Sequence, residues 1–207
     1  MIFGAKMLPC WIGSIQQGNT LLVNYVGGTV CAVPILEDGS LGPAGCVVDH
    51  GKGTGTHLSG RQADAHPHMF TTSPDGKFTF VVDLGTNSVV GYTLTVHDRV
   101  ACSRTLTKYT EFALHESAGP RHMAFSPTAP FAYILNEMDN TLVPVGCESR
   151  ALSPLPAARA CAAALSHLCC CCCRCLIVTQ ADSVARATLL PYRQCRRGHV
   201  QLARCPS

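Results

Sequence analysis

The stretch Phe80-Val81-Val82-Asp83-Leu84-Gly85-Thr86-Asn87-Ser88-Val89-Val90 decides the fold. Two short apolar runs rich in β-branched residues flank a segment of Asp, Gly and Asn, so it reads as strand, tight turn, strand. The signature recurs on both sides. Leu21-Leu22-Val23-Asn24 lies 59 residues before Phe80-Val81-Val82-Asp83, and Tyr133-Ile134-Leu135-Asn136 lies 53 residues after it. Each is an apolar run closed by Asn or Asp. At equal distances downstream come Gly28-Thr29-Val30, Asn87-Ser88-Val89 and Asn140-Thr141-Leu142, and upstream Ser14, Ser73 and Ser126 keep the same register. Self-similarity at this period suits the blades of a propeller.

Between each serine and its apolar run lies a turn sequence: Gln16-Gln17-Gly18-Asn19, Pro74-Asp75-Gly76-Lys77 and Pro127-Thr128-Ala129-Pro130. Each unit therefore reads as strand, turn, strand, turn, strand. The third strands are Thr29 to Ile35, Ser88 to Leu94 and Thr141 to Val145, and a fourth, outer strand is expected around Lys108 to Leu114. Loops at Gly51 to Ala65 and His115 to Gly119 separate the units. No long amphipathic helix period appears before Cys147, so the fold class is all-β: a partial β-propeller of about three four-stranded blades, with an irregular or weakly helical C-terminal tail. Such sheets bury both faces only by stacking radially on similar sheets. Two open ends then predict self-association through exposed blade faces.

Composition changes near Cys147. Residues 1–147 hold eight Lys plus Arg against eleven Asp plus Glu, whereas residues 148–207 hold eight Arg, no Lys and two acids. Nine of the fourteen cysteines fall in the second piece, with Cys169 to Cys173 consecutive. Adjacent cysteines do not reach disulfide geometry easily, and the spacing matches no paired zinc pattern. Residues 1–147 are thus expected to form the partial propeller and residues 148–207 an unrelated Cys/Arg/Ala-rich segment, disordered or arising from a shifted frame or retained intron. The sharper alternative is a cysteine-rich metal-binding or lipid-attachment segment, with palmitoylation of the cysteine run. Scattered cysteines before Glu148 fit reduced thiols, and Met1 to Trp11 lacks a secretory h-region, so a cytoplasmic location is expected. The most apolar stretch, Ala160 to Val178, carries His167 and Arg174, whereas a bilayer span wants roughly 20 apolar residues, which argues against a membrane. Basic charge confined to the tail without interleaved aromatics argues against a nucleic-acid partner.

Residues Leu8 to Val145 resemble the lactonase family of seven-bladed β-propellers, of the 6-phosphogluconolactonase type, to which fungal carboxy-muconate lactonising enzymes also belong. The resemblance rests on Asn24-Tyr25-Val26-Gly27-Gly28-Thr29-Val30, on Glu37-Asp38-Gly39-Ser40-Leu41-Gly42-Pro43, and on His66-Pro67-His68. It extends through Ser73-Pro74-Asp75-Gly76-Lys77 with Val82-Asp83-Leu84-Gly85-Thr86, and through Gly119-Pro120-Arg121-His122 with Tyr133-Ile134-Leu135-Asn136-Glu137. It implies an interior portion of the ring, about three of seven blades. It further implies hydrolysis of 6-phospho-D-glucono-1,5-lactone to 6-phosphogluconate in the pentose phosphate pathway, with no cofactor and a sugar lactone as the small-molecule partner. The alternatives are a non-catalytic propeller fragment or interaction module, or a lactone cyclase of the muconate type.

Lactone hydrolysis needs a general base or nucleophile, a donor for the oxyanion, and cations for an anionic substituent. His66 or His68, Arg121, His122 and Glu137 supply those types at one repeat position. Arg121 to Glu137 spans strand, turn and strand, so antiparallel pairing returns Glu137 to the end where Arg121 begins. The resemblance implies that a His at His68 or His66, with Arg121 and Glu137, forms the catalytic set, whereas a further Arg that the family carries on a later blade has no counterpart here. Arg121, His122 and Asn136 are candidate substrate contacts, and no metal site is evident. The plainer readings are a structural ion pair between Arg121 and Glu137, histidines satisfied within the fold, Asn24, Asp83 and Asn136 as turn caps, and Gly27-Gly28 as a tight turn.

Overall fold

Three antiparallel sheets follow one another along the chain. The computed structural model describes residues 8–15, 18–55, 60–148, 151–155, 163–164, 176–181 and 184–189. The first sheet runs β1 (Pro9–Ile15), β2 (Asn19–Asn24), β3 (Thr29–Pro34), β4 (Cys46–Asp49) in that order. The second runs β5 (Pro67–Thr72), β6 (Thr79–Asp83), β7 (Ser88–Asp98), β8 (Ser103–Ala113). The third runs β9 (Pro120–Phe125), β10 (Phe131–Asn136), β11 (Thr141–Glu148), β12 (Ala151–Pro154), and β13 (Ala163–Ala164) also pairs with β11. This is the partial propeller the repeat predicts, and no described residue is helical.

Why the repeat specifies blades is visible at its turns. Gly28, Asn87 and Asn140 occupy the same repeat position and all have positive φ, at 64°, 55° and 57°. Glycine enters that region freely, and asparagine enters it more readily than other residues with a side chain. The Asx residue closing each apolar run serves the same turn. Asn24 donates its side-chain amide to Thr29 Oγ1 and Asn136 donates to Thr141 Oγ1, both at 2.9 Å. Asp83 instead accepts the amides of Gly85 and Thr86 at 2.9 and 3.0 Å.

The second blade is buried on both faces. Val81, Val90 and Tyr92 pack with Leu21, Val23, Val30 and Ala32 of the first blade, while Phe80, Val82 and Val89 pack with Met123, Ala132 and Ile134 of the third. Strand alternation sends Val81 one way and its neighbours Phe80 and Val82 the other, so the run is apolar without a break. Stacking also sets the innermost strands side by side, with β5 against both β1 and β9.

Each innermost strand carries the same irregularity. Pro9 pairs with Asn24 and Trp11 with Val23; Pro67 pairs with Asp83 and Met69 with Val82; Pro120 pairs with Asn136 and His122 with Leu135. One residue in each is left over: Cys10, His68 and Arg121. A bulge re-aims the extra residue at a strand end, and here it does so three times at one position.

Two expectations are refined. The outer strand of the second blade begins earlier than Lys108, at Ser103, because β7 and β8 continue as one long hairpin. The third blade extends past residue 147, since β12 pairs with β11 from Val145↔Pro154 to Glu148↔Ala151. Among the described residues of the second unit, β14 (Leu176–Ala181) and β15 (Val184–Leu189) pair as an antiparallel hairpin. Cys169 to Cys173 lie outside the described residues.

Candidate active site

The bulge residues and the residues that follow β2 and β10 meet at one rim. His68, at the β5 bulge, is 9% exposed, and its ring lies edge-on to His122 with centroids 5.1 Å apart. His122 lies in turn against Trp11 at 6.0 Å. Arg121, at the β9 bulge, donates from Nη1 to Glu137 Oε2. Glu137 immediately follows β10, as Tyr25 follows β2. The hairpin of β9 and β10 thus closes the Arg121–Glu137 pair as its connectivity requires.

His66 sits differently. It precedes β5, stacks on Tyr25 with centroids 4.6 Å apart and planes 13° from parallel, and its Nδ1 lies 2.8 Å from the Tyr25 carbonyl oxygen. Its backbone N–H donates to Asp83 Oδ1 at 2.8 Å. Both polar groups have structural partners, while the buried Nδ1 of His68 meets no hydrogen-bond partner among the described residues. His68 therefore faces Arg121, His122 and Glu137, and His66 buttresses Tyr25. Asn136 is fully buried with its amide nitrogen given to Thr141, a turn partner.

A residue absent from the candidate set completes the cluster. Arg61, in the loop between the first two blades, donates from Nη1 to Glu137 Oε1 at 2.6 Å and from Nη2 to Tyr25 Oη at 2.8 Å. Each oxygen of Glu137 is thus taken by a different guanidinium. Arg61 belongs to no repeat and no strand, so neither periodicity nor hairpin geometry could single it out. Its bond to Glu137 raises its own pKa further above the ordinary arginine value.

Electrostatics keep both imidazoles uncharged. Burial, then the positive charge of Arg121, pushes His68 down to about 3 and His122 down to about 4. Cys10, the bulge residue of β1, is exposed as a residue, but its Sγ donates to the His68 carbonyl at 3.1 Å, and the loss of solvent around the sulfur pushes it up to about 11, so it remains a thiol. The site thus holds two guanidinium cations, one carboxylate and two neutral rings. Among the described residues no group of three or more His, Cys, Asp or Glu side chains is placed to hold a metal ion.

Linkage makes those histidines measurable. The unfolded chain protonates them near the ordinary value of 6.5, whereas the folded chain resists until about 4 and about 3. The unfolded state binds more protons in between, so their contribution is whole above pH 6.5 and is lost as pH falls. The thermal midpoint should drop from about pH 7 to about pH 5, before most carboxylates titrate, and His122→Gln should flatten that slope. A midpoint level across the window would contradict the neutral assignment.

Comparison with known proteins agrees with this architecture. The family model "Lactonase, 7-bladed beta-propeller" matches residues 5–158. The 6-phosphogluconolactonase of Bacillus subtilis (strain 168) is 33% identical over 136 residues, covering 65% of this chain and 36% of that protein. A Bacteroides fragilis protein of known structure, provisionally assigned as a 6-phosphogluconolactonase, superposes with a TM-score of 0.68 at 28% identity, over 77% of this chain and 44% of its own. A counterpart from Bacteroides uniformis gives 0.62 at 26% identity, over 72% and 41%. The chain spans less than half the length of each.

Proposed function

Because the chain belongs to the lactonase family of seven-bladed β-propellers, we propose that its rim hydrolyses a phosphorylated sugar lactone, 6-phospho-D-glucono-1,5-lactone, to 6-phosphogluconate in the pentose phosphate route. The observation that carries this reading is the convergence of His68, Arg121, His122 and Glu137 from two blades, with Arg61 closing the cluster. It supplies an acceptor for a proton, two cations for oxyanions, and aromatic rings against which a sugar can lie.

The reaction divides as follows. A water oxygen attacks the lactone carbonyl carbon while its proton passes to Glu137 or to the neutral imidazole of His68. Arg121 donates to the oxygen that gains negative charge, in a fork suited to an oxyanion. Collapse breaks the bond from the acyl carbon to the ring oxygen, which leaves as a hydroxyl after receiving the held proton. The product is an open-chain carboxylic acid, which loses its remaining proton to solvent and becomes the carboxylate. No redox step occurs, so no electron carrier enters the balance.

A second reading is a non-catalytic propeller module, in which the ion pairs of Glu137 with Arg121 and Arg61 serve only to hold the rim together. Acid release on a pH-stat separates the two. Folded protein should accelerate hydrolysis of 6-phosphogluconolactone above the spontaneous rate, and Arg121→Ala should abolish the acceleration. Folded protein without acceleration rejects the lactonase.

A further inference from the structure

Glu137 lies between two guanidinium groups that differ in kind. Arg121 belongs to a strand, and its side chain is 27% exposed; Arg61 belongs to a loop and is 38% exposed, while Glu137 is 10% exposed. Arg61 is therefore the more exposed of two cations that hold one largely buried carboxylate. Its second nitrogen is fixed by Tyr25 Oη, and Tyr25 is in turn stacked on His66. A flexible side chain is thereby held ready with its charge at the rim.

Charge counting shows what the cluster wants. Arg61 and Arg121 contribute two positive charges and Glu137 one negative, while His68 and His122 are neutral, leaving an excess of one positive charge. Arginine binds carboxylate and phosphate through the same planar fork, so a carboxylate seated on Arg61 occupies the position a phosphate oxygen would take. A phosphate monoester carries close to two negative charges at neutral pH and outcompetes a single carboxylate for a partly exposed guanidinium.

We propose that Arg61 is the phosphate-binding residue of this rim, and that Glu137 occupies its guanidinium until a phosphate monoester displaces it. The exchange keeps the Oε2 contact of Glu137 with Arg121 and breaks the Oε1 ion pair with Arg61, which makes the carboxylate a stronger proton acceptor. Phosphate on the substrate thus both anchors the lactone and uncovers the base. The inference rests on the lactonase reading for its meaning, yet phosphate binding stands without turnover.

The test uses the chain itself with inorganic phosphate as probe, followed through the arginine side-chain nitrogen resonances and by calorimetry. Phosphate should shift the Arg61 guanidinium resonance, and Arg61→Gln should weaken binding by about tenfold or more, since a charge-assisted bond is lost. Glu137→Gln removes the competitor and should tighten binding several-fold. A purely structural ion pair predicts the reverse, with binding unchanged or weakened by Glu137→Gln. An unmoved Arg61 resonance in the wild-type chain overturns the proposal, and so does a Glu137→Gln variant that is folded but binds no tighter. Should Arg61→Gln not fold, Tyr25→Phe serves in its place: it frees Arg61 from its anchor, and unchanged phosphate affinity there counts against the proposal. Phosphate binding that behaves as stated, in protein that does not accelerate lactone hydrolysis, would reject the lactonase reading alone.

Discussion

Glu137→Gln is expected to lower kcat/KM for lactone hydrolysis by about 100-fold or more, the scale on which a positioned general base contributes. The substitution is nearly isosteric, so packing at this largely buried position is retained. What changes is charge and direction of donation. A carboxylate accepts from both Arg61 and Arg121; an amide must turn an N–H toward one of them, setting donor against donor. Arg121 then loses the anchor that holds its fork toward the carbonyl, and the proton acceptor is gone. If His68 alone takes the proton, the loss falls mainly on orientation, and His68→Gln lowers kcat further than Glu137→Gln does. The comparison of the two variants under identical pH-stat conditions decides which group accepts. Full activity in a folded Glu137→Gln protein would remove Glu137 from the chemistry.

The second large effect concerns stability and lies one blade away. Asp83→Ala should cost about 3–5 kcal/mol, because it breaks a buried pair and strands every partner of the carboxylate. Asp83 is fully buried. Its Oδ2 lies 2.7 Å from His50 Nδ1, and its Oδ1 accepts the amides of His66, Gly85 and Thr86. His50 Nε2 lies 2.9 Å from Tyr92 Oη, a phenol pushed up to about 12 chiefly by burial. One carboxylate therefore ties the first blade to the second and holds the residue that supports Tyr25 at the rim. Asp83→Asn keeps an acceptor for the amides and should cost less. Urea unfolding midpoints measure both. A loss below about 1 kcal/mol for Asp83→Ala would mean that the stacked apolar faces carry the blade junction unaided.

The fold was legible because its rule is local. An apolar run, an Asx residue and a Gly or Asn at positive φ recur at fixed spacing, and each has a backbone reason to be where it is. The outer strand β12 was less legible, since it lies past the change of composition at Cys147. Ladder bonds to β11 are made by backbone groups, which are indifferent to that change. At the site, Arg121 and Glu137 followed from hairpin connectivity. The choice between His66 and His68 did not, because two residues apart on a regular strand implies one face. The bulge between Pro67 and Met69 breaks that alternation, turning His68 to the rim and leaving His66 on Tyr25. Arg61 was invisible for a different reason. It reaches Glu137 across 76 positions from a loop without periodicity, a contact that only the stacking of blades creates.

Three bulged strands deliver side chains to one rim, and histidine-labelled protein tests that placement directly. Nuclear Overhauser contacts between the ring protons of His68 and His122 should be strong, as their centroids are 5.1 Å apart, and both rings should stay neutral well below the ordinary histidine value. Absence of that contact in folded protein, or titration of both rings near 6.5, would contradict the shared rim and the lactone site built on it.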